Sequence, residues 1–245
     1  MTRNTKMDQS SNGSRTVYSK DNRKLLRGDA SCLSYAVQEG TVTIADSAFA
    51  KCSKIQELDL PDTVTAIGNE AFCGCKFLHS INIPQKIEKI GSRSFKGCES
   101  LESVLLPDTV KAIGDFAFKK CTRLSEVKLP TGLKEISSWC FNDCTSISEI
   151  TIPEGVKTVG YGAFCGCENL NEITIPESVE MVDCFAFRDC KQLKVIRICN
   201  PNVEIGMYAF SCCSSLQDII VPEGTLDKFK KILPPHKIKK LKEAE

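Results

Sequence analysis

Fifteen cysteines and two histidines are the residues of this 245-residue chain whose chemistry could be catalytic or metal-binding. Cysteines in that number ordinarily mean a disulfide framework, a thiolate nucleophile or zinc ligation. Their spacing decides otherwise. Cys52, Cys75, Cys98, Cys121, Cys144, Cys167, Cys190 and Cys213 recur every 23 residues, each three residues after one of Phe49, Phe72, Phe95, Phe118, Phe141, Phe164, Phe187 and Phe210. A fixed period without insertions marks a stacked repeat, so these eight thiols belong to the fold. There a thiol acts as a small apolar group and weak hydrogen-bond partner for turn backbone, one beneath the next in a structural ladder.

The other seven are Cys32, Cys73, Cys140, Cys165, Cys184, Cys199 and Cys212. Cys73-Gly74-Cys75 and Cys165-Gly166-Cys167 lack the two-residue spacer of zinc hairpins, and they sit four repeats apart, roughly 19 Å at strand spacing. That argues against a metal or disulfide joining them, and free thiols fit a reducing compartment or an anaerobic source. Neither His79 nor His236 has a partnered acid and nucleophile in the repeat geometry. No Walker loop, dinucleotide glycine fingerprint or metalloprotease helix occurs either. We therefore expect no enzyme activity, no cofactor and no metal.

The elements that carry these residues follow from the same period. After each repeat cysteine an apolar residue stands at the third, sixth and eighth positions and usually proline at the ninth, as in Leu101, Val104, Leu106 and Pro107 or Leu170, Ile173, Ile175 and Pro176. This is a short strand with one buried face, ended by a residue that cannot continue the ladder, and one strand per unit is expected. The second half reads V-x-x-I-G-x-x-A-F-x-x-C, as in Val110, Ile113, Gly114, Ala117, Phe118 and Cys121. Gly68, Gly91, Gly114, Gly160 and Gly206 suit a turn needing unusual φ. Ala, Phe and Cys fall on one face of a short helix or 3-10 turn. Eight such units share one core, a single unit burying too little to fold alone. The expectation is an α/β solenoid about 40 Å long, with a parallel sheet on the concave face and short helices or 3-10 turns on the convex one.

The motif L-x-x-I-x-I-P-x-x-V-x-x-I-G-x-x-A-F-x-x-C resembles the leucine-rich repeat of the Bacteroides surface protein A-like (Treponema pallidum-type) family, over residues 33–223. The resemblance implies a right-handed horseshoe, a non-enzymatic binding role and, for an exported chain, surface association and adhesion to host matrix proteins and cells. The sequence departs from the pattern at Gln38 and Cys199 (proline expected), at Ala45, Ser137 and Asp183 (glycine expected), and at Ser94 and Cys140 (alanine expected). Those changes imply local irregularity. The segment from Glu223, E-G-T-L-D-K-F-K-K-I-L-P, resembles the cap that closes such proteins.

The expected organisation is a disordered N-terminus (1–15), a capping hairpin (16–36), eight repeats (37–223), and a capping helix with basic tail (224–245). Val17-Tyr18, a polar turn at Ser19–Asn22 and Lys24-Leu25-Leu26 make the hairpin. Thr225 would N-cap a helix lined by Leu226, Phe229, Ile232 and Leu233 and stopped by Pro234-Pro235, leaving 236–245 as a frayed, lysine-rich tail. Charge is uneven: residues 1–36 and 225–245 each carry seven basic and three acidic groups, leaving 37–224 with 18 basic against 25 acidic. Lysines without interleaved aromatics read as a solvated end rather than a nucleic-acid contact. No apolar run approaches the roughly 18 residues of a membrane span, so no membrane insertion is expected. The polar stretch Met1 to Gly13 lacks a secretory signal, so the chain as written reads as cytoplasmic, and as cell-surface or secreted only in a trimmed mature form.

Candidate binding residues lie in the variable columns. Between the first two buried positions of successive strands stand Glu57, Ser80, Ser103, Glu126, Glu149, Glu172, Val195 and Asp218. Glu126, Glu149 and Glu172 would then lie on consecutive strands about 4.8 Å apart, where like charges repel. Such a stripe serves a basic partner or a cation, or is a solvated sheet face. The next outward column contains Lys128 and Arg197. Two residues before the repeat Phe, Phe116, Trp139, Phe185 and Tyr208 form a row, with Tyr161 one step off it. They are an interface core, or they pack sideways and are half-buried. The leading reading is a protein-protein interaction module, with no nucleic acid as partner. The alternatives are an intracellular structural or self-assembling scaffold, hence a homo-oligomer, built on the aromatic row, and a regulatory subunit of a larger enzyme.

Overall fold

The structure, a computed structural model, describes residues 16–233 and 239–244. The N-terminal segment expected to be disordered and Pro234-Pro235 lie outside the described residues. The chain winds into a parallel β-solenoid of about nine turns. Units contribute two strands where the sequence pattern suggested one. The first strand runs through Ser34–Ala36, Glu57–Asp59, Ser80–Ile81, Ser103–Leu105, Glu126–Lys128, Glu172–Ile175, Val195–Ile198 and Asp218–Val221. The second runs through Thr43–Ile44, Ala66–Ile67, Lys89–Ile90, Ala112–Ile113, Glu135–Ile136, Thr158–Val159, Met181–Val182 and Glu204–Ile205. Within each sheet a strand pairs in parallel with its copy one repeat away, Ile67 against Ile90 and Ile173 against Ile196, and the first kind is interrupted between Ser80–Ile81 and Ser103–Leu105 and again between Glu126–Lys128 and Glu172–Ile175. The proline between the two strands ends the first and turns the chain, its carbonyl accepting from the amide three residues on, as Val64 N to Pro61 O at 3.0 Å.

The wall expected to be helical consists of turns, and the only helix among the described residues is at the C-terminal end. The reason is in the backbone. Two residues per unit adopt left-handed φ: the residue two before the repeat Phe (Ser47, Glu70, Arg93, Phe116, Trp139, Gly162, Phe185, Tyr208) and the residue two after it (Lys51, Gly74, Gly97, Lys120, Asp143, Gly166, Asp189, Cys212). A right-handed helix cannot pass such residues. Alternate amides are instead donated sideways to the next unit: Ser47 N to Asn69 O at 2.8 Å, Phe49 N to Ala71 O at 2.7 Å, Lys51 N to Cys73 O at 2.7 Å. The turn wall is thus a third hydrogen-bonded ladder.

The glycine column also has a different cause from the one expected. None of Gly68, Gly91, Gly114, Gly160 and Gly206 has positive φ. A Cβ at Gly91 would lie 2.5 Å from the Gly68 carbonyl carbon, one at Gly114 2.4 Å from Ser92 N and one at Gly206 2.4 Å from Cys184 N. Close approach of successive backbones, not a special dihedral, excludes a side chain there. At Ser137 the amide-to-carbonyl bond that the other units make is replaced by Ser137 Oγ donating to Ile113 O. The second sheet divides at this point, between Ala112–Ile113 and Glu135–Ile136.

The core is columnar. The eight phenylalanines stack with ring centroids 5.1 to 5.8 Å apart, and the repeat thiols form the anticipated ladder. Cys75 Sγ donates to Phe49 O at 3.0 Å, Cys121 to Phe95 O at 3.1 Å, Cys190 to Phe164 O at 3.3 Å. At the N-terminal end Val17–Tyr18 pairs antiparallel with Lys24–Arg27, which in turn pairs in parallel with Thr43–Ile44. At the other end the helix spans Leu226–Ile232. Thr225 does not cap it through its side chain, because its hydroxyl bonds back to Pro222 O. Phe229 and Leu233 are buried while Ile232 is 40% exposed, so Ile232 is not on the packed side. The expected frayed tail is also overturned: Leu241–Glu243 adds a parallel strand to Asp218–Val221. Ile219 N donates to Lys240 O at 2.7 Å, Ala244 N to Val221 O at 2.8 Å, and Lys242 meets Asp218 at 2.8 Å.

Candidate functional site

The first-sheet face places the acidic column as follows. Glu126 and Lys128 sit on a strand paired with Ser103–Leu105. Glu172 and Thr174 sit on a strand that sets Thr174 opposite Arg197. Glu149 lies between them on a segment that joins neither neighbouring strand. The three glutamates are therefore not on consecutive strands. The middle rung, flanked by a like charge on both sides, is the one that leaves the ladder, which is the direction in which lateral carboxylate repulsion acts.

Around this break lies a groove of about 530 Å³, lined by Val127, Glu149, Ile150, Thr151, Ile152, Pro153, Glu154, Glu172, Thr174, Pro176 and Arg197. It brings Glu149, Glu172 and Arg197 together and leaves Glu126 and Lys128 outside. Its floor reaches the core, since Val127 is half-buried where its counterpart Val104 is 2% exposed. Glu154 was missed by the column reading, although the column following the proline (Asp62, Asp108, Glu154, Glu177) carries the same kind of signal.

Several exposed acids outside the groove meet a base of the neighbouring unit: Glu70 with Arg93 at 3.3 Å, Glu88 with Lys111 at 3.4 Å, Glu99 with Lys76 at 3.1 Å, Glu168 with Lys191 and Glu180 with Lys157 at 2.7 Å. In the acidic column itself Glu57 faces His79 at 3.7 Å and Asp218 faces Lys242. Among the described residues none of Glu126, Glu149, Glu154, Glu172 and Arg197 enters an ion pair. Cys199, standing where other units have proline, senses the same charges. Burial first, then the Glu154 and Glu177 carboxylates, push its thiol up, and Arg197 pulls it down.

The aromatic row is continuous. Phe116 stacks on Trp139 at 6.3 Å, Trp139 meets Tyr161 at 5.2 Å, Tyr161 meets Phe185 at 5.3 Å, and Phe185 stacks on Tyr208 at 5.5 Å. Tyr161 supplies the ring at the unit where the row position is Gly162, and a Cβ on Gly162 would lie 2.6 Å from the Trp139 ring. The rings pack sideways yet stay accessible, Tyr161 at 37% and Tyr208 at 62% exposure. Phe116, Trp139, Phe185 and Tyr208 hold φ of 58°, 57°, 60° and 59°, an arrangement bulky side chains rarely adopt. Cations cover the rings: Arg93 lies 5.4 Å above Phe116, Lys119 5.6 Å from Phe116 and 5.4 Å from Trp139, and Arg188 5.5 Å from Phe185.

The thiols offer no comparable site. No disulfide joins any of them among the described residues. Burial drives Cys98, Cys121, Cys144, Cys167 and Cys190 far above the usual thiol range, and raises the half-buried Cys165 to about 11. A protonated, buried thiol is neither nucleophile nor ligand. No group of three or more His, Cys, Asp or Glu among the described residues is placed to hold a metal ion. No helix among them is long and apolar enough to cross a membrane.

The BspA type leucine rich repeat region family matches this chain in six copies, over residues 42–171 and 134–233. A leucine-rich repeat protein from Bacteroides ovatus is 25% identical, with a TM-score of 0.68 over 88% of this chain and 71% of its own. The leucine-rich repeat protein of T. pallidum is also 25% identical, with a TM-score of 0.66 over 94% of this chain and 97% of its own. The pneumococcal vaccine antigen PcpA shares the fold at 18% identity, with a TM-score of 0.51 over 85% of this chain and 73% of its own. Among curated proteins no relative matches.

Proposed function

Because the chain belongs to the BspA-type leucine-rich-repeat family, we propose that it is a non-catalytic protein-interaction module whose groove on the first sheet captures a basic segment of a partner protein. Residues 16–36 close one end, and residues 224–233 with 239–244 close the other. The observation that carries this reading is the gathering of Glu149, Glu154 and Glu172, none of them in an ion pair among the described residues, around one groove, whereas acids such as Glu70, Glu168 and Glu180 are neutralised by the neighbouring unit. Laterally paired acids contribute little to a partner, since their field is cancelled locally. Unpaired carboxylates over a partly open apolar floor attract cations and gain from the partner's exclusion of water. The ladder fixes Glu172 and Arg197 on paired strands, so little ordering entropy is lost there on binding. For an exported chain this capture takes the form of adhesion, the role implied by the family resemblance.

The test is the affinity of an octalysine peptide, read by fluorescence anisotropy at low salt. Glu149→Lys with Glu172→Lys should weaken it by about tenfold or more. Glu88→Lys with Glu180→Lys, reversing acids that are already paired, should change it little. Equal affinity for the two double variants would sink the groove reading. A second reading, a self-assembling scaffold, is favoured by the unbroken aromatic row.

A further inference from the structure

The turn wall and the groove carry opposite unneutralised charge on one chain. Lys96 and Lys119 occupy the same position of successive units, Lys120 follows, and none of the three enters an ion pair among the described residues. Lys119 lies over both rings at the Phe116–Trp139 end of the aromatic row, and Arg93 lies over Phe116. The groove presents Glu149, Glu154 and Glu172. We propose that the basic, aromatic ridge of one copy seats in the acidic groove of a second, so that copies of this chain associate face to back. The proposal rests on the groove being a binding surface, and it names a partner for it.

Charge alone would admit any basic partner, and period narrows the choice. Side chains on both faces recur with the same rungs, whose spacing is read from the phenylalanine stack at 5.1 to 5.8 Å. A second copy therefore presents Lys96 and Lys119 at the spacing at which the groove rungs recur, and an unrelated basic surface has no such match. The backbone supports a role beyond packing for the ridge. Ser47, Glu70 and Gly162 hold the same left-handed position in other units, so rings are not required there to build the turn. Bulky residues at a left-handed position cost of order 1 kcal/mol or more each, and such strain is characteristic of binding surfaces. The two faces differ, so the contact is heterologous and does not close on itself as a two-fold dimer does; it propagates.

The experiment is sedimentation velocity on the full chain across protein concentration, at low and high salt, with circular dichroism melts to show that the variants are folded. Wild type should rise in mass beyond dimer as concentration increases, and lose that rise in high salt. Lys119→Glu, which breaks the ridge, and Glu149→Lys, which breaks the groove, should each be monomeric. An equimolar mixture of the two retains one intact groove and one intact ridge, and should give a 1:1 dimer and nothing larger. A monomeric wild type at the highest concentration and lowest salt overturns the proposal, as does a mixture that stays monomeric. If Glu149→Lys loses octalysine binding while wild type never associates, the groove reading survives and this one falls. If neither property changes, both fall.

Discussion

Raising the pH from about 8 to about 10 should remove most of the folding stability of this chain, because its core is built from protonated thiols. Cys98, Cys121, Cys140, Cys144, Cys167 and Cys190 are fully buried, and burial raises each far above the ordinary thiol value of 9.0. In the folded chain they stay protonated throughout this range, whereas in the unfolded chain they ionise as pH passes 9.0. A group whose folded value is raised contributes stability that is present below its unfolded value and is lost as pH climbs toward the folded one. Above pH 9 the unfolded state binds fewer protons, so stability falls. At about pH 10 each thiol contributes a loss of about 1.4 kcal/mol, against less than about 0.1 at pH 8. Six thiols together give about 8 kcal/mol, comparable with the whole stability of a typical domain.

Urea titrations followed by far-UV circular dichroism, in reductant and under inert gas, measure this directly. The midpoint should collapse between about pH 9 and pH 10 with little change in m. Cys121→Ala with Cys144→Ala should lower the stability at pH 8 and shrink the pH-dependent loss by about a fifth, since Cys75, Cys52 and Cys165 are raised as well and only two of these linked groups are gone. An unchanged midpoint from pH 8 to pH 10 would refute the reasoning, because it would mean that the thiols ionise in place without cost.

Three further outcomes follow from single contacts. Ser94 stands fully buried where other units have alanine, and its hydroxyl finds no partner. Ser94→Ala should therefore raise stability by about 1 kcal/mol, read as a higher urea midpoint. Gly91→Ala drives a Cβ to 2.5 Å from Gly68 backbone and should cost about 2–3 kcal/mol. Gly132→Ala, whose nearest contact is 3.7 Å, should be close to neutral in the same denaturation series. At Trp139, with φ of 57°, the usual ordering should invert: Trp139→Gly should be more stable than Trp139→Ala by about 1 kcal/mol, whereas a residue in a right-handed helix would show the reverse.

The invariant columns were legible because each answers to one physical demand. Phe every 23 residues stacks, Cys three residues later bonds the Phe carbonyl of the unit before, and proline ends the first strand. The second strand was missed because V-x-x-I gives only two residues of ladder, too few for alternation to be distinguished from a helical turn. The turn wall was misread for a related reason. Apolar spacing of Ala, Phe and Cys fits a helix, but the left-handed residues on either side of Phe leave no mark in composition when they are Ser, Glu, Arg or Lys. Only Gly74, Gly97, Gly162 and Gly166 hint at them. The glycine column was assigned to dihedral freedom when its cause is the approach of one backbone to the next, a fact of stacking that no single unit contains.

The candidate site shows the same division between what one unit determines and what only neighbours determine. Glu126, Glu149 and Glu172 look equivalent in sequence, yet only Glu149 and Glu172 line the groove, because the rung of Glu149 leaves the sheet. Whether an acid is available to a partner depends on whether a base stands one unit away at its own height. Glu88 and Glu180 are neutralised by Lys111 and Lys157, each 23 residues distant. Lateral pairing across one period thus withdraws some acids from a partner, while among the described residues Glu149, Glu154 and Glu172 stay unpaired around one groove. On the turn wall Lys119, which enters no ion pair among the described residues, lies over the strained Phe116 and Trp139 rings. Groove carboxylates and a ridge cation over aromatic rings, at one shared rung spacing, locate recognition in the columns that the repeat leaves free to vary.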